Sequence, residues 1–480
     1  MGRPLVLIHG YSDKGESFFP LRDALKARGV ALIDINICTY ISLNNEITIN
    51  DIAEGLERAF RNHPVMKNNP DFDAIVHSTG MLVIRSWLTN YGTKATGNKR
   101  LERLKHLIGL APATWGSPQA HKGRTWLGAL VKGDKDFLGP DFLNAGDRVL
   151  EGLELGSSFT WKLAHLDLLG PEPFYDKGDK TPFVAVFIGN QAYQGLQKVA
   201  NDPGTDGTVR WSGCSLNTRK IRIDLSQVPI DPDGTPVLLD KDGNARQRAW
   251  ITPFASGRLD VPMIAVEGRN HGTIIHDPEP AMVDLIAQFL KVDGSATYDQ
   301  WLDRAKVSSA KALAKMCANP DPGFFGRIFS HADEELEGWQ QFVVHAIDER
   351  GDPITDYMIE VIKDGVLFKP MYTDVHAYGP DQSYRCFHIH LPKGLSDSDM
   401  KLRARIHAST GTELMTYQGY GDGRQELTAT SAPIELDLTL GERGTLFFPF
   451  TTTLIEIVLT REPLPFNETA RILKWVGDTQ

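Results

Sequence analysis

The sequence predicts an α/β protein, in which a mostly parallel sheet wrapped by helices is followed by an antiparallel β-sandwich. Two patterns indicate this division. Up to about residue 295, short apolar runs alternate with helical patterns, which is typical of a parallel sheet covered on both faces. Beyond residue 338, apolar and polar residues alternate with period two, as in half-buried antiparallel strands.

Length, charge and cysteine content narrow the class of protein. A chain of 480 residues predicts two or three domains. Its net charge of −10 argues against a nucleic-acid partner, and no apolar run is long enough to predict a transmembrane segment. Four scattered cysteines and the lack of a signal-peptide core before the first strand predict a cytoplasmic protein, with non-classical export left open.

The first part of the chain contains six predicted strands, most of them near-continuous Val, Ile, Leu and Ala. They cover residues 4–9, 31–38, 72–77, 104–110, 183–188 and 262–267. Amphipathic helices are predicted between them. In the segment 50–60, for example, Ile52, Leu56 and Phe60 repeat every four residues and define one apolar helix face.

These patterns divide the chain into a first domain, a linker and a second domain. The first domain covers 1–295 and carries two insertions, an apolar one without strands at about 115–180 and a polar one with Asp-Gly turns at about 219–252. A helical linker is predicted over 296–337, and the β-sandwich, expected to be an accessory domain, covers 338–480.

Ser78 is the strongest candidate for a chemically active residue. It stands in His77-Ser78-Thr79-Gly80, directly after the predicted strand 72–77 and before an apolar helical run. A serine on such a turn exposes its hydroxyl at the positive end of a helix. The motif resembles the nucleophile elbow of α/β-hydrolase lipases and esterases, although Val76 stands where that family has the first glycine of G-x-S-x-G.

The resemblance extends to the other parts of a serine hydrolase site. His9-Gly10-Tyr11 after the first strand is similar to the lipase oxyanion loop, which implies that the backbone N–H groups of Tyr11 and Thr79 form the oxyanion hole. The family order of Ser, acid and His then implies a triad. Asp206 in Asp-Gly-Thr-Val is the implied acid, with Asp202 as the alternative.

The implied base is His271, because it follows the last predicted strand and precedes the closing helix. His276, five residues further on, is the alternative.

The segment 111–118 is similar to a stretch of bacterial and GPI inositol deacylase-like lipases. The resemblance covers about the first 295 residues and implies an α/β-hydrolase sheet that lacks the first two strands. It also implies that the insertion at 115–180 is either a helical lid or a packed cap.

We therefore expect a carboxylic ester hydrolase that works through an acyl-enzyme intermediate on small-molecule or lipid esters, without metal or cofactor. Phospholipase, thioesterase and polyester depolymerase activity on the same triad remain open, as does a non-catalytic binding protein whose sandwich carries the function. Contact with a lipid surface through the lid or sandwich and the oligomeric state also stay open.

Cys386, His388 and His390 alternate along one predicted strand and therefore share one of its faces. We favour an ordinary sandwich face there over a metal site.

Overall fold

The computed structural model describes most of both predicted domains. The described residues are 3–10, 15–30, 34–37, 46–90, 99–122, 147–171, 174–175, 178, 181–193, 203–226, 252–253, 261–317, 336–363, 365–367, 371–372, 381–392, 402–412, 414–420, 426–428, 434–437 and 448–463.

A sheet of six parallel strands forms the centre of the first part of the chain. Its strands are β1 (Leu5–Ile8), β2 (Asp34–Ile37), β3 (Phe72–His77), β4 (Leu104–Leu110), β5 (Phe183–Gly189) and β8 (Met263–Val266). Their spatial order is β2-β1-β3-β4-β5-β8, so that β3 and β4 lie in the middle. Parallel strands all end at one edge, and the loops that follow β1, β3 and β8 therefore meet there.

Helices cover both faces of this sheet. They are α1 (Phe19–Ala27), α2 (Ile49–Asn62), α3 (Gly80–Thr89), α4 (Lys99–Arg103), α5 (Pro118–Lys122), α6 (Asp147–Leu153), α7 (Ser158–Asp167), α8 (Trp211–Cys214), α9 (Thr273–His276), α10 (Pro280–Phe289) and α11 (Ser295–Cys317). None of the helices in the described part of the chain has the length and apolar character needed to cross a membrane.

Helix α2 shows how the local sequence specifies these elements. Thr48 and Asp51 form a capping box, in which each side chain accepts a hydrogen bond from the other residue's backbone N–H. Ile52, Leu56 and Phe60, the residues that predict the helix, are all buried. The helix therefore begins at its cap and is held on the sheet by its apolar face.

Strands β1 and β3 of the first sheet are buried on both faces. Val6 and Val76 belong to one apolar core, which also contains the buried face of α2. Leu7 and Ile75, one position away, belong to a second core on the opposite face with α1, α10 and α11. This alternation explains why the strand sequences are almost continuously apolar.

The second part of the chain forms two sheets packed face to face. Their strands are β6 (Thr218–Asp224), β7 (Thr252–Pro253), β9 (Leu336–Asp348), β10 (Asp356–Lys363), β11 (Val366–Leu367), β12 (Met371–Tyr372), β13 (Tyr384–Pro392), β14 (Leu402–Ser409), β15 (Met415–Tyr420), β16 (Glu426–Thr428), β17 (Ile434–Asp437) and β18 (Thr452–Pro463). One sheet has the antiparallel order β11-β10-β14-β17, and the other contains β12-β13-β9-β18-β15-β16 with β6 and β7 attached.

The larger of these sheets also contains parallel pairs, which period-two alternation alone does not predict. Strand β18 lies between β9 and β6 and is parallel to both. Strand β6 comes from the predicted insertion at 219–252, and its Ile221 and Ile223 are buried in the sandwich core with Phe342 and Ile457. A segment of the first domain of the sequence therefore completes the second sheet.

The sandwich packs directly on the first part of the chain. Val343 of β9, Cys386 of β13 and Leu454 of β18 belong to the same buried apolar cluster as Val76 and Val186 of the parallel sheet. The larger sheet of the sandwich thus has one face toward its partner sheet and one toward the helices and loops of the first part.

Candidate active site

Ser78 lies on the turn between β3 and α3 and has a positive backbone angle. Its φ of 54° falls in the left-handed region, which costs a residue with a side chain about 1–3 kcal/mol. Hydrogen bonds hold this conformation. The Ser78 N–H donates to the carbonyl oxygen of Leu110 (3.3 Å), and the Ser78 carbonyl accepts from the N–H of Ala113 (2.9 Å). The turn presents the partly exposed side chain at the end of β3.

Two glycines allow other parts of the backbone to pass close to this turn. A Cβ on Gly80 would lie 2.6 Å from the carbonyl oxygen of Ile8, and a Cβ on Gly10 would lie 2.7 Å from Cβ of Ser78. Both distances are shorter than any that real side chains adopt. The end of β1 can therefore approach the start of α3, and Gly10 can approach Ser78, only because both residues are glycine.

Val76 occupies the position of the first glycine in the G-x-S-x-G pattern. The valine side chain fits there because its neighbour on β4 is Gly109. Val76 is fully buried. A Cβ on Gly109 would lie 2.8 Å from Cε of Met81 and 3.0 Å from Cγ of Pro112, so this part of the core is crowded. The adjacent strand therefore supplies the small residue that close packing under the turn requires.

His271 lies in the turn between β8 and α9, and its ring joins the two other predicted residues. Its Nε2 lies 3.1 Å from Oγ of Ser78, and its Nδ1 lies 3.0 Å from Oδ2 of Asp206. An ionised carboxylate only accepts hydrogen bonds, so Nδ1 carries the ring proton and Nε2 is left to accept the Ser78 hydroxyl proton. The three side chains form one continuous hydrogen-bonded line.

Asp206 is completely buried, and each of its oxygens has a partner. Oδ1 accepts hydrogen bonds from the backbone N–H groups of Thr208 (3.0 Å) and Val209 (2.9 Å), while Oδ2 faces His271. The backbone carbonyl of Asp206 also accepts the N–H of His271 at 3.1 Å. These bonds satisfy a charge that would otherwise be costly to bury, and they fix the acid loop against His271.

His77 is a member of the site that the sequence did not indicate. Its Nε2 lies 2.9 Å from the carbonyl oxygen of His271, and its ring is buried between those of His9 and His271. Burial lowers the pKa of His77 well below its ordinary value, and the neighbouring His271 and His9 lower it further. A neutral His77 donates one hydrogen bond that holds the backbone of His271. The only sequence signal is its position directly before Ser78.

The other site residues named from the sequence are His276, Thr79, Asp202 and Tyr11. His276 is exposed at the end of α9, whereas the ring of His271 reaches Ser78. Thr79 is buried at the start of α3, where its N–H belongs to the first turn of the helix. Asp202 and Tyr11 lie outside the described residues.

The predicted lid contains at least one firmly packed helix. Arg85 of α3 and Asp167 of α7 form a bidentate ion pair (2.8 and 2.9 Å) in which both side chains are fully buried. The hydroxyl of Tyr175 donates to the same carboxylate over 2.8 Å. Helix α7 is therefore fixed to α3, the helix that follows the Ser78 turn. Residues 123–146 of the predicted insertion lie outside the described part, and the choice between a helical lid and a packed cap at 115–180 stays a prediction.

The face formed by Cys386, His388 and His390 points toward the first part of the chain. Nε2 of His388 lies 3.0 Å from Oε1 of Gln341, and His390 stacks on Trp339 with ring centres 4.3 Å apart. All three side chains are buried. Among the residues that the structure describes, no group of three potential ligands has a geometry suited to a metal ion.

Comparison with known proteins supports the fold. No protein-family model and no curated protein matches this sequence. Phospholipase PlaB from Legionella pneumophila, solved by itself and in complex with thio-NAD, is similar in structure. Both comparisons give a TM-score of 0.70 and 18% identity, covering 100% and 99% of this chain and 97% and 96% of the other. The likeness confirms the predicted α/β-hydrolase fold with a C-terminal β domain.

Proposed function

We propose that this protein is a serine hydrolase that cleaves carboxylic esters, with Ser78, His271 and Asp206 as its catalytic triad. The observation that carries the proposal is the line of two hydrogen bonds, 3.0 and 3.1 Å, from Asp206 through His271 to Ser78. The strained turn at Ser78 supports it, because such strain is maintained where a side chain must be presented in one direction.

In the proposed reaction, His271 Nε2 removes the hydroxyl proton as Ser78 Oγ attacks the ester carbonyl carbon. The tetrahedral intermediate collapses when His271 returns that proton to the departing alcohol, which leaves an acyl group on Ser78. Water, deprotonated by His271, then releases the acid and restores the serine. Asp206 keeps the proton on Nδ1 and stabilises the imidazolium that forms at each step.

The oxyanion is proposed to bind to the backbone N–H groups of Thr79 and Tyr11. Thr79 begins α3, so its N–H lies at the positive end of the helix dipole beside Ser78. Tyr11 directly follows Gly10, the residue whose backbone lies against Ser78. Each such donor typically contributes about 3 kcal/mol to stabilisation of the transition state.

A fluorophosphonate probe tests the serine chemistry. We expect the probe to label the wild type and not Ser78→Ala, and ester hydrolysis by Ser78→Ala to fall by at least about 10⁴-fold. Asp206→Asn should lose about 10³- to 10⁴-fold, because the imidazole tautomer is no longer enforced. Equal labelling of wild type and Ser78→Ala would refute the proposed nucleophile.

Ser86, on the helix α3 that follows the Ser78 turn, provides a matched control. It is fully buried, and within the described residues its Oγ has no hydrogen-bond partner. Ser86→Ala should therefore be labelled and hydrolyse esters like the wild type. Absence of labelling in a folded wild-type protein would favour the alternative, a binding protein whose sandwich carries the function.

The substrate class is proposed to be a lipid ester or a small ester. Rates on p-nitrophenyl esters of short and long acyl chains separate these two, and a steep loss beyond short chains would exclude a lipase. Phosphatidylcholine belongs in the same panel because the structurally similar PlaB is a phospholipase. Release of fatty acid from it by wild type, and not by Ser78→Ala, would identify a phospholipase.

A further inference from the structure

The acid loop lies against an aromatic side chain of the sandwich. Gly204, two residues before Asp206, has a φ of +71°, and a Cβ placed on it would lie 2.7–2.9 Å from three ring atoms of Trp339. Trp339 is on β9 and is almost completely buried. The backbone at Gly204 therefore rests directly on the indole ring, with no room for even a methyl group.

Trp339 is itself held in place from several sides. His390, its partner in the β9–β13 ladder, stacks on it at an interplanar angle of 16°. The ring of Trp211 approaches it edge-on, and the backbone N–H of Trp211 donates to the carbonyl oxygen of Gly204 at 2.9 Å. Aromatic rings from β13 and α8 thus pack against the indole.

The acid loop connects this contact to the reacting groups. Asp206 accepts hydrogen bonds from His271 through both its carboxylate and its backbone carbonyl. A displacement of the loop at Gly204 would therefore move the carboxylate that faces Nδ1 of His271. A second contact lies beyond the loop, where a Cβ on Gly213 would be 2.9 Å from Oε1 of Gln341, also on β9. Catalytic geometry tolerates shifts of well under 1 Å.

We infer that Trp339 is a positioning residue of the active site, which acts through Gly204 to hold Asp206 against His271. The inference rests on the proposed hydrolase function. It makes the β-sandwich a structural part of the catalytic centre, because a residue on β9 sets the place of the acid. Trp339 therefore affects the rate of the chemical step and not the binding of the ester.

The test compares Trp339→Leu with Trp301→Leu. Trp301 is a comparably buried tryptophan of α11, and it belongs to the apolar core on the face of the parallel sheet that α1 and α10 cover. We expect Trp339→Leu to lower kcat and the rate of fluorophosphonate labelling about ten- to hundredfold, with KM changed less than threefold. Trp339→Phe, which keeps an aromatic surface under Gly204, should restore most of the loss. Trp301→Leu should keep the wild-type kcat per folded molecule.

Gly204→Ala disturbs the same contact from the loop side and decides the question if Trp339→Leu does not fold. It too should lower kcat with little change in KM. Wild-type kcat in the folded form of either variant would overturn the inference. An unlabelled wild type would instead refute the proposed hydrolase function, so the two failures are distinguishable.

Discussion

The Nε2–H of His77 donates a hydrogen bond of 2.9 Å to the backbone carbonyl oxygen of His271. The residue that precedes the proposed nucleophile thus holds the backbone of the proposed base. The bond connects the end of β3 to the turn after β8, two segments that are not adjacent in the sheet. Together with the two bonds between Asp206 and His271, it fixes the base from both sides.

His77→Phe should destabilise the protein and slow catalysis. The variant leaves the buried carbonyl of His271 without its donor, which typically costs about 1–3 kcal/mol. We expect the free energy of unfolding in urea to fall by that amount and kcat to fall with it. His276→Phe, at the exposed alternative position for the base, should leave kcat unchanged. Unchanged stability in His77→Phe would show that the hydrogen bond contributes nothing.

Gly10→Ala should abolish activity without unfolding the chain. Its new methyl group would lie 2.7 Å from Cβ and 3.3 Å from Oγ of Ser78, so the serine or the loop must shift. Gly55→Ala is the control, because nothing lies within 4 Å of the added Cβ in the middle of α2. That substitution should raise the free energy of unfolding by up to about 1 kcal/mol. Ester hydrolysis and urea denaturation measure both effects, and full activity of Gly10→Ala would contradict the close approach.

The fold and the positions of Ser78 and His271 at one edge of the sheet could be predicted because their signals are local. Strands β3 and β4 have the predicted bounds, since continuous Val, Ile and Leu runs specify strands buried on both faces. Ser78 directly follows β3 and His271 lies in the turn after β8, and parallel strands bring such ends together. The order of the chain therefore places them at one edge of the sheet.

The contacts between distant segments could not be predicted in this way. Strand β6 pairs with β18, more than two hundred residues away, and Trp339 supports Gly204 from another sheet. The alternation of Ile221 and Ile223 with charged residues was a usable signal for β6, because it has the period of the sandwich strands and not of the first sheet. No local pattern indicates which loop a buried tryptophan will contact.

Breaking the Arg85–Asp167 pair should destabilise the protein strongly. Removing one partner leaves an uncompensated charge in a site with no exposed surface, so Arg85→Met and Asp167→Leu should each cost about 3–5 kcal/mol. The double variant should be more stable than either single variant, because it buries no charge. Asp23→Ala, which breaks a surface pair with Arg22, should change stability far less, because water and salt screen an exposed charge. Additive losses in the denaturation cycle would contradict the coupling.

Acid should destabilise the sandwich interface through His390. Burial lowers its pKa from 6.5 to about 4, so it is neutral in the folded chain between those values while the unfolded chain binds a proton. Stability therefore falls as the pH decreases from about 6.5 toward 4, by about 2 kcal/mol at pH 5 for this one group. His390→Phe keeps a ring on Trp339 and removes the titration. Its free energy of unfolding should consequently decrease less than that of the wild type between pH 7 and pH 5. Parallel curves for the two proteins would show that His390 does not stay neutral when buried.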